Sequence, residues 1–422
     1  MTSLDQTQLL SAVWRMGHFV GATLCDDDGR RVEVKSSGEP TAQASLFKGA
    51  VLVIDGVVYC GDVVVGAESP ITEPVVMRIV ECSSPRLLDL AGDMIPQMIL
   101  PVPQPVLDRY QQLVDGGVDR CKCGTIVAQM DSLHRTDLLT RLVIERLQRK
   151  CSVVERLYGQ SDSDWNQTMY AMLFRAMGDH RNQDAFERLA FAVPYYTLSR
   201  ERTSGDNVET MLFGASGLLR RSDWDEHTRV LQQDFEYLAR KHSIRPMMGG
   251  EWAMTGINPN NTPLIRISQL AGYVSHTDFI FNKLLQCRTA DDINRLLGGE
   301  SARVSDYWER HFTPERTTVR KTKRLGATKI NLLGINFVVP VMFAYGRQTE
   351  REELKEQALD LLDSLRVETN YITRHWTSRG VVLNGAFDSQ AIIQLEREYC
   401  SLRGCWRCPI GRSEIKKSLE TL

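Results

Sequence analysis

The sequence closes on Cys400-Ser401-Leu402-Arg403-Gly404-Cys405-Trp406-Arg407-Cys408-Pro409, three cysteines separated by four and two residues. No other stretch restricts the fold as tightly. A knuckle carrying Cys405 and Cys408 brings two thiols together and Cys400 sits one turn away, so three sulfurs can face one centre. Three thiolates rarely complete a structural site. The best candidate for a fourth donor lies upstream, in Arg120-Cys121-Lys122-Cys123-Gly124. Either cysteine there would tie the middle of the chain to its end through a structural zinc or a 4Fe-4S cluster. Without a metal, the same residues are three unlinked thiols in a tight loop. After Ile393 and Leu395 the tail carries few apolar residues, so the metal tie is expected to be its main anchor.

The other cysteines, Cys25, Cys60, Cys82, Cys151 and Cys287, are scattered, unlike the dense framework of a small secreted domain. That distribution fits a reducing, cytoplasmic setting. The segment Met1-Thr2-Ser3-Leu4-Asp5 lacks the basic start and apolar core of a signal peptide, so none is expected. No run of eighteen or more apolar residues stands out, which argues against a spanning helix and a membrane partner. Lysine and arginine number 51 against 53 acidic residues, so net charge points to no partner. A length of 422 residues allows two or three domains with ample core.

Hydropathy patterning predicts an α+β chain, with a small mixed or antiparallel β-domain at 1–105 and a helical domain at 106–422. In the head, Leu9, Leu10, Val13 and Trp14 mark a helix, and β-branched runs follow at Val32–Val34, Val51–Ile54, Val57–Tyr59, Val63–Val65 and Val75–Val80. Asp55-Gly56 between two of these runs is a type I′ hairpin signal, because both positions need positive φ. Pro96, Pro101, Pro103 and Pro105 read as a stiff linker. Beyond it, Leu138, Leu139, Leu142, Val143 and Leu147 repeat at helical spacing after Thr136 or Asp137 as N-cap. Trp165 to Met177 continues that period, with Gly178 as a stop. Further helices are predicted around 208–219, 228–241, 265–273, 291–297, 352–365 and 390–399.

No phosphate-binding glycine loop, zinc-protease helix or nucleophile elbow is present, and the eight histidines form no metal-spaced pair. A recognisable histidine-based active site is therefore not expected. The strongest charge feature is Arg316, Arg320, Lys321, Lys323, Arg324 and Lys329, uninterrupted by a carboxylate. Such a run can neutralise several phosphates of a nucleic acid, or can simply be a solvated loop. The turn Asn258-Pro259-Asn260-Asn261-Thr262-Pro263 leads into Arg266 and Gln269, which at i and i+3 can line one side of a groove.

Several segments together resemble the bacterial domain-of-unknown-function family 2851. They are Leu142–Leu147, Phe186–Ala190, Val208–Leu219, Asn261–Ala271, and the tail from Asp388-Ser389-Gln390-Ala391 through Glu398-Tyr399-Cys400 to Cys405-Trp406-Arg407-Cys408-Pro409-Ile410-Gly411. The resemblance implies a cysteine ligand where Cys123 falls, completing the set Cys123, Cys400, Cys405 and Cys408. It also implies a head similar to the metal-binding core of PD-(D/E)xK nucleases. Relatives carry Gly-Pro-Asp-Phe and then Gly-Asn-Val-Glu-Ile-His, whose two carboxylates would hold Mg²⁺ and activate water.

This chain departs there. It reads Ala44-Ser45-Leu46-Phe47 and Gly61-Asp62-Val63-Val64-Val65-Gly66, so Leu46 and Val64 stand where the carboxylates would be. An apolar side chain cannot ligate Mg²⁺, and the head is expected to be a degenerate copy that does not cut. The arrangement of one upstream and three C-terminal cysteines is also similar to the iron–sulfur staple of some helicase-associated nucleases. The expectation is a non-catalytic nucleic-acid-binding or accessory protein, with phosphate contacts at Arg316, Arg320, Lys321, Lys323 and Arg324. The alternatives are a protein-interaction scaffold, with a protein partner and no nucleic acid, and an active nuclease using Glu39, Asp62 or Glu68.

Overall fold

Asp55 and Gly56 take φ of 47° and 85° in the computed structural model of the chain, the left-handed pair that a two-residue hairpin requires. The structure describes residues 3–16, 24–41, 45–66, 75–89, 92–100, 102–114, 123–203, 205–219, 225–299, 302–314 and 316–420. It is α+β, a mixed sheet followed by a mostly helical body. The chain forms two compact units. The first comprises Met1–Asp131, Ser378–Val381 and Leu395–Leu422, and the second Ser132–Thr377 and Val382–Gln394. Set beside the expected 1–105 and 106–422, the first unit runs further and takes in the cysteine tail.

The sheet of the first unit contains β1 (Leu24–Cys25), β2 (Arg31–Ser36), β3 (Glu39–Pro40), β4 (Leu46–Ile54), β5 (Val57–Val65), β6 (Val75–Val80) and β7 (Gln97–Ile99). Its order is β1-β2-β4-β5-β6-β7, with β3 paired to β4. Pairing is antiparallel from β1 to β5, then parallel for β5–β6 and β6–β7. Successive side chains alternate faces along a strand. One face buries Val32, Val34, Leu52, Val63 and Met77 against Leu9, Leu10, Val13 and Trp14 of the Ser3–Met16 helix. The Trp14 indole N–H donates to the Ser37 carbonyl at 3.0 Å, so its one polar atom is satisfied.

The prolines expected to stiffen a linker instead frame regular structure. The Pro96 carbonyl accepts from the Arg78 N–H at 2.8 Å as β7 begins, and Pro105 lies in the first turn of the Gln104–Val114 helix, where a missing N–H costs nothing. Pro101 lies outside the described residues. The tail also differs from expectation. Ile415, on the Pro409–Glu420 helix, is fully buried in the same core as Val106 and Tyr110, and Arg109 pairs with Glu414 beside it. Apolar burial therefore anchors the tail whether or not a metal does. Two buried isoleucines, Ile410 and Ile415, give little hydropathy signal in a short, charged stretch.

In the helical unit, the Ser132–Gln160 helix starts earlier than Thr136 or Asp137. Thr136 bonds back to the Ser132 carbonyl at 2.8 Å, the inward use of a hydroxyl that otherwise favours a cap. The Trp165–Met177 helix runs as predicted, capped by the Asp164 carboxylate and ended at Gly178. The continuous helix Ala327–Gln348 is long and apolar enough to cross a membrane by length and composition, although 72% of its most apolar window is buried, as in a core helix. Asn331, Gly334, Asn336 and Pro340 punctuate it, so no unbroken apolar run shows in the sequence. A π turn at Gly334–Val338 precedes Pro340, and the extra residue eases the clash of the ring with the preceding turn.

Candidate functional site

The turn at 258–262 sets the geometry of a strongly charged cavity in the helical unit. The Asn258 side chain accepts from the Asn260 N–H at 3.0 Å, and Pro263 opens the Pro263–His276 helix. That entry places Arg266 and Gln269 one turn apart on the buried face. The Arg266 guanidinium donates to Gln269 Oε1 at 2.9 Å and to Asn261 Oδ1 at 2.8 Å. Gln269 Nε2 in turn donates to the Lys323 carbonyl at 2.9 Å. The helix and the basic segment expected to line a groove thus meet in one place. Arg266 is only 4% exposed and its Nε has no hydrogen-bond partner.

Lys329 enters the same cavity from the Ala327–Leu333 turns. Its ammonium donates to the Ala176 carbonyl at 2.9 Å and pairs with Asp179. Burial pushes the Lys329 amine down to about 8, Asp179 opposing and Arg266 reinforcing that shift. Asp179 itself holds φ +50°, a left-handed conformation that aspartate tolerates better than most residues. It follows Gly178, where any Cβ would lie 2.6 Å from the Asn182 backbone. The cavity has a volume of 410 Å³, and Asp179 is the one carboxylate-bearing residue lining it, against Arg266, Lys321, Lys323, Arg324 and Lys329.

The five residues proposed from sequence for phosphate contact have separate placements. Lys321 and Arg324 are exposed and line the cavity. Lys323 is 3% exposed; its ammonium turns to the carbonyls of Trp308 and His311 and lies 3.6 Å from the centre of the Phe312 ring. Arg320 is bound by Glu309 at 2.6 Å and Asp306 at 3.3 Å, two carboxylates that precede the run in sequence. Arg316 is exposed on a short strand, Arg316–Thr317, paired with His311–Thr313. Sequence reasoning missed Asp179; its signal was a helix stop followed by an acid.

Cys123, Cys400, Cys405 and Cys408 all belong to the first unit. Cys123 begins the Cys123–Gln129 helix, and Cys400 ends a π turn, Glu396–Cys400. Cys123 and Cys405 both pack against the core that holds Ile415. The N–H groups of Arg407 and Cys408 both bond the Gly404 carbonyl, which closes the knuckle. A Cβ at Gly411 would lie 2.1 Å from the Cys405 carbonyl, so only glycine lets the helix start fold against the knuckle. Burial pushes the Cys405 thiol up to about 12, and the neighbouring Cys408 adds to the shift. Cys408 is buried and Cys123, Cys400 and Cys405 are half-buried; sulfur donors are of the type that zinc and iron–sulfur clusters take. Cys121 lies outside the described residues.

In the sheet, Leu46 and Val64 are direct cross-strand partners. Each is 6% exposed, and with Ile95 they form an apolar cluster covered by Val75 and Leu87. Asp62 accepts from the Gly49 N–H at 3.2 Å, and Glu39 pairs with Lys48 across β3 and β4. Ala44 and Glu68 lie outside the described residues. Asp26, Asp27 and Asp28 bring three carboxylate oxygens within 4.8 Å of one another. Arg30 holds Asp26, while Arg86 holds Asp27 and Asp28, so salt bridges account for the group.

A separate cavity of 520 Å³ in the helical unit is lined by Asp206, Glu209, His276 and Arg303 among others. Burial pushes the Glu209 carboxyl up to about 7 against a hydrogen bond from Ser305 at 3.1 Å. No pairing of nucleophile and base accompanies it among the described residues.

No curated protein and no solved structure matches the chain. A sequence profile of the family described as a protein of unknown function, DUF2851, matches residues 7–371.

Proposed function

The chain belongs to that family, and we propose that it is a non-cutting nucleic-acid-binding or accessory protein that contacts phosphates through the basic cavity of its helical unit. One observation carries this reading: Arg266 and Lys329 are buried in the wall of a cavity whose one lining carboxylate is already taken by Lys329. Burying cations costs several kcal/mol per ion unless partners repay it. A wall of this sign is therefore best explained by an anion that completes it. Lys321 and Arg324, exposed at the same cavity, extend the positive field towards solvent.

The head is read as a degenerate nuclease-like domain, because Leu46 and Val64 fill the positions of the missing carboxylates with apolar contacts. The four cysteines would hold a structural zinc or 4Fe-4S cluster; four protein donors leave no open position for substrate. The test is oligonucleotide binding across a salt series. Affinity should fall steeply with salt, and Lys321→Glu with Arg324→Glu should weaken binding to all sequences alike. Binding that ignores salt, or no binding at low salt, would favour a protein-interaction scaffold instead.

A further inference from the structure

We infer that the cavity receives a single phosphomonoester dianion, the phosphorylated end of a nucleic-acid strand, and not a stretch of internal backbone. This rests on the reading above and narrows it. The cations are graded by depth: Arg266 and Lys329 are 4% and 9% exposed, whereas Lys321 and Arg324 are exposed. Groove binders present phosphate contacts along an extended surface; a half-open cavity of 410 Å³ has room for one phosphate and its adjoining nucleoside. The inner group that matters most is Arg266. Its two amino ends are fixed by the neutral amides of Asn261 and Gln269, which orient the guanidinium without cancelling its charge. Among the described residues no carboxylate forms an ion pair with it, and Asp179, the acid that acts on it, is spent on Lys329.

The charge balance favours a monoester. Lys329 and Asp179 neutralise one another and the Lys323 ammonium turns to backbone carbonyls, leaving Arg266 inside and Lys321 at the exposed side, two positive charges where a phosphodiester brings one negative. A terminal phosphate carries about −1.5 to −2 at neutral pH, and three oxygens to receive hydrogen bonds. Thr322 and Thr328 belong to the same lining, and a threonine hydroxyl is a donor suited to those oxygens. Arginine is the residue expected at such a position, since its planar fork matches phosphate geometry.

The full-length protein would be titrated into one fluorescent single-stranded sequence in three forms, with a 5′-phosphate, with a 3′-phosphate, and with hydroxyls at both ends. At fixed ionic strength, one phosphorylated form should bind at least tenfold tighter than the hydroxyl form. Arg266→Gln should abolish that preference, so that the three forms bind alike. Lys321→Glu, at an exposed position, should shrink the preference without touching the interior, and covers the case in which the interior variant fails to fold. Equal affinity for all three forms overturns the inference and leaves the nucleic-acid reading standing. Binding of inorganic phosphate, titrated in parallel, with none to any oligonucleotide overturns both the inference and the nucleic-acid reading and leaves a small-anion site. No binding of any of them overturns both.

Discussion

Gln269 holds Lys323 by its backbone: the side-chain amide donates to the lysine carbonyl at 2.9 Å, across 54 positions of sequence. The same glutamine accepts from Arg266 through its other atom. One neutral side chain therefore fixes both the buried cation and the basic segment that follows it.

Replacing Gln269 with leucine should expose the value of that clamp. The variant leaves the Lys323 carbonyl without its donor and removes one of the two supports of Arg266. Loss of a buried partner costs about 1–3 kcal/mol, measurable as a lower midpoint in urea. Oligonucleotide affinity should fall as well, because Arg266 and the 321–324 segment lose their register. A variant as stable as the parent and equally tight in binding would show that the link is incidental.

The Lys329 amine gives a pH test with opposite signs for folding and binding. Its folded value of about 8 lies below the ordinary 10.5, so the unfolded chain holds this proton more firmly. Below about pH 8 the lysine is charged in both states and the full cost of burial is present. As pH rises from 8 towards 10.5 the folded lysine loses its proton first, and that cost is relieved; stability from this group should rise. Lys323, also lowered to about 8 by burial, acts in the same direction. The difference of 2.5 for Lys329 corresponds to at most about 3 kcal/mol. Anion binding should weaken over the same range, since the charge leaves the cavity. In Lys329→Met both slopes should shrink, and stability at pH 7 should hold or improve, whereas a purely structural lysine would give a plain loss.

Placing acids in the head should not create a nuclease. Leu46→Asp with Val64→Glu would place two carboxylates opposite one another in the cluster with Ile95. Burying them unpaired costs several kcal/mol or forces them to stay protonated. The expected result is a lower unfolding temperature and no Mg²⁺-dependent cleavage of DNA or RNA. A folded variant that cuts would mean that the rest of a metal site is intact.

Local chemistry was legible where it acts over a few residues. Asp55-Gly56 specified its hairpin, and Gly178 marked the end of its helix, because turn and stop preferences are short-range. Arg266 and Gln269 were legible as a helical pair for the same reason. The answer of Glu309 and Asp306 to Arg320 was not, since a charge run reads as unopposed until the fold brings acids back to it. Nor was Asp179, whose role depends on a lysine 150 positions away. The prolines misled because the same residue stiffens a linker and opens a helix.

The tail offers the sharpest separation of metal from packing. Protein purified without oxygen should carry about one zinc per chain or about four irons, with metal–sulfur distances near 2.3 Å by X-ray absorption. Cys405→Ser should release that metal and speed hydrogen exchange along 395–420, while the strands β2 to β6 keep their protection. Ile415→Ala acts on the other anchor. It empties a fully buried core position, at a cost of about 2–5 kcal/mol, and should loosen the same segment with the metal content unchanged. Cys405 packs against the core that holds Ile415, so the double variant should depart from the sum of the two single losses. If Cys405→Ser leaves exchange in the tail untouched and the wild-type protein carries no metal, the cysteines are thiols in a loop that Ile415 alone holds down.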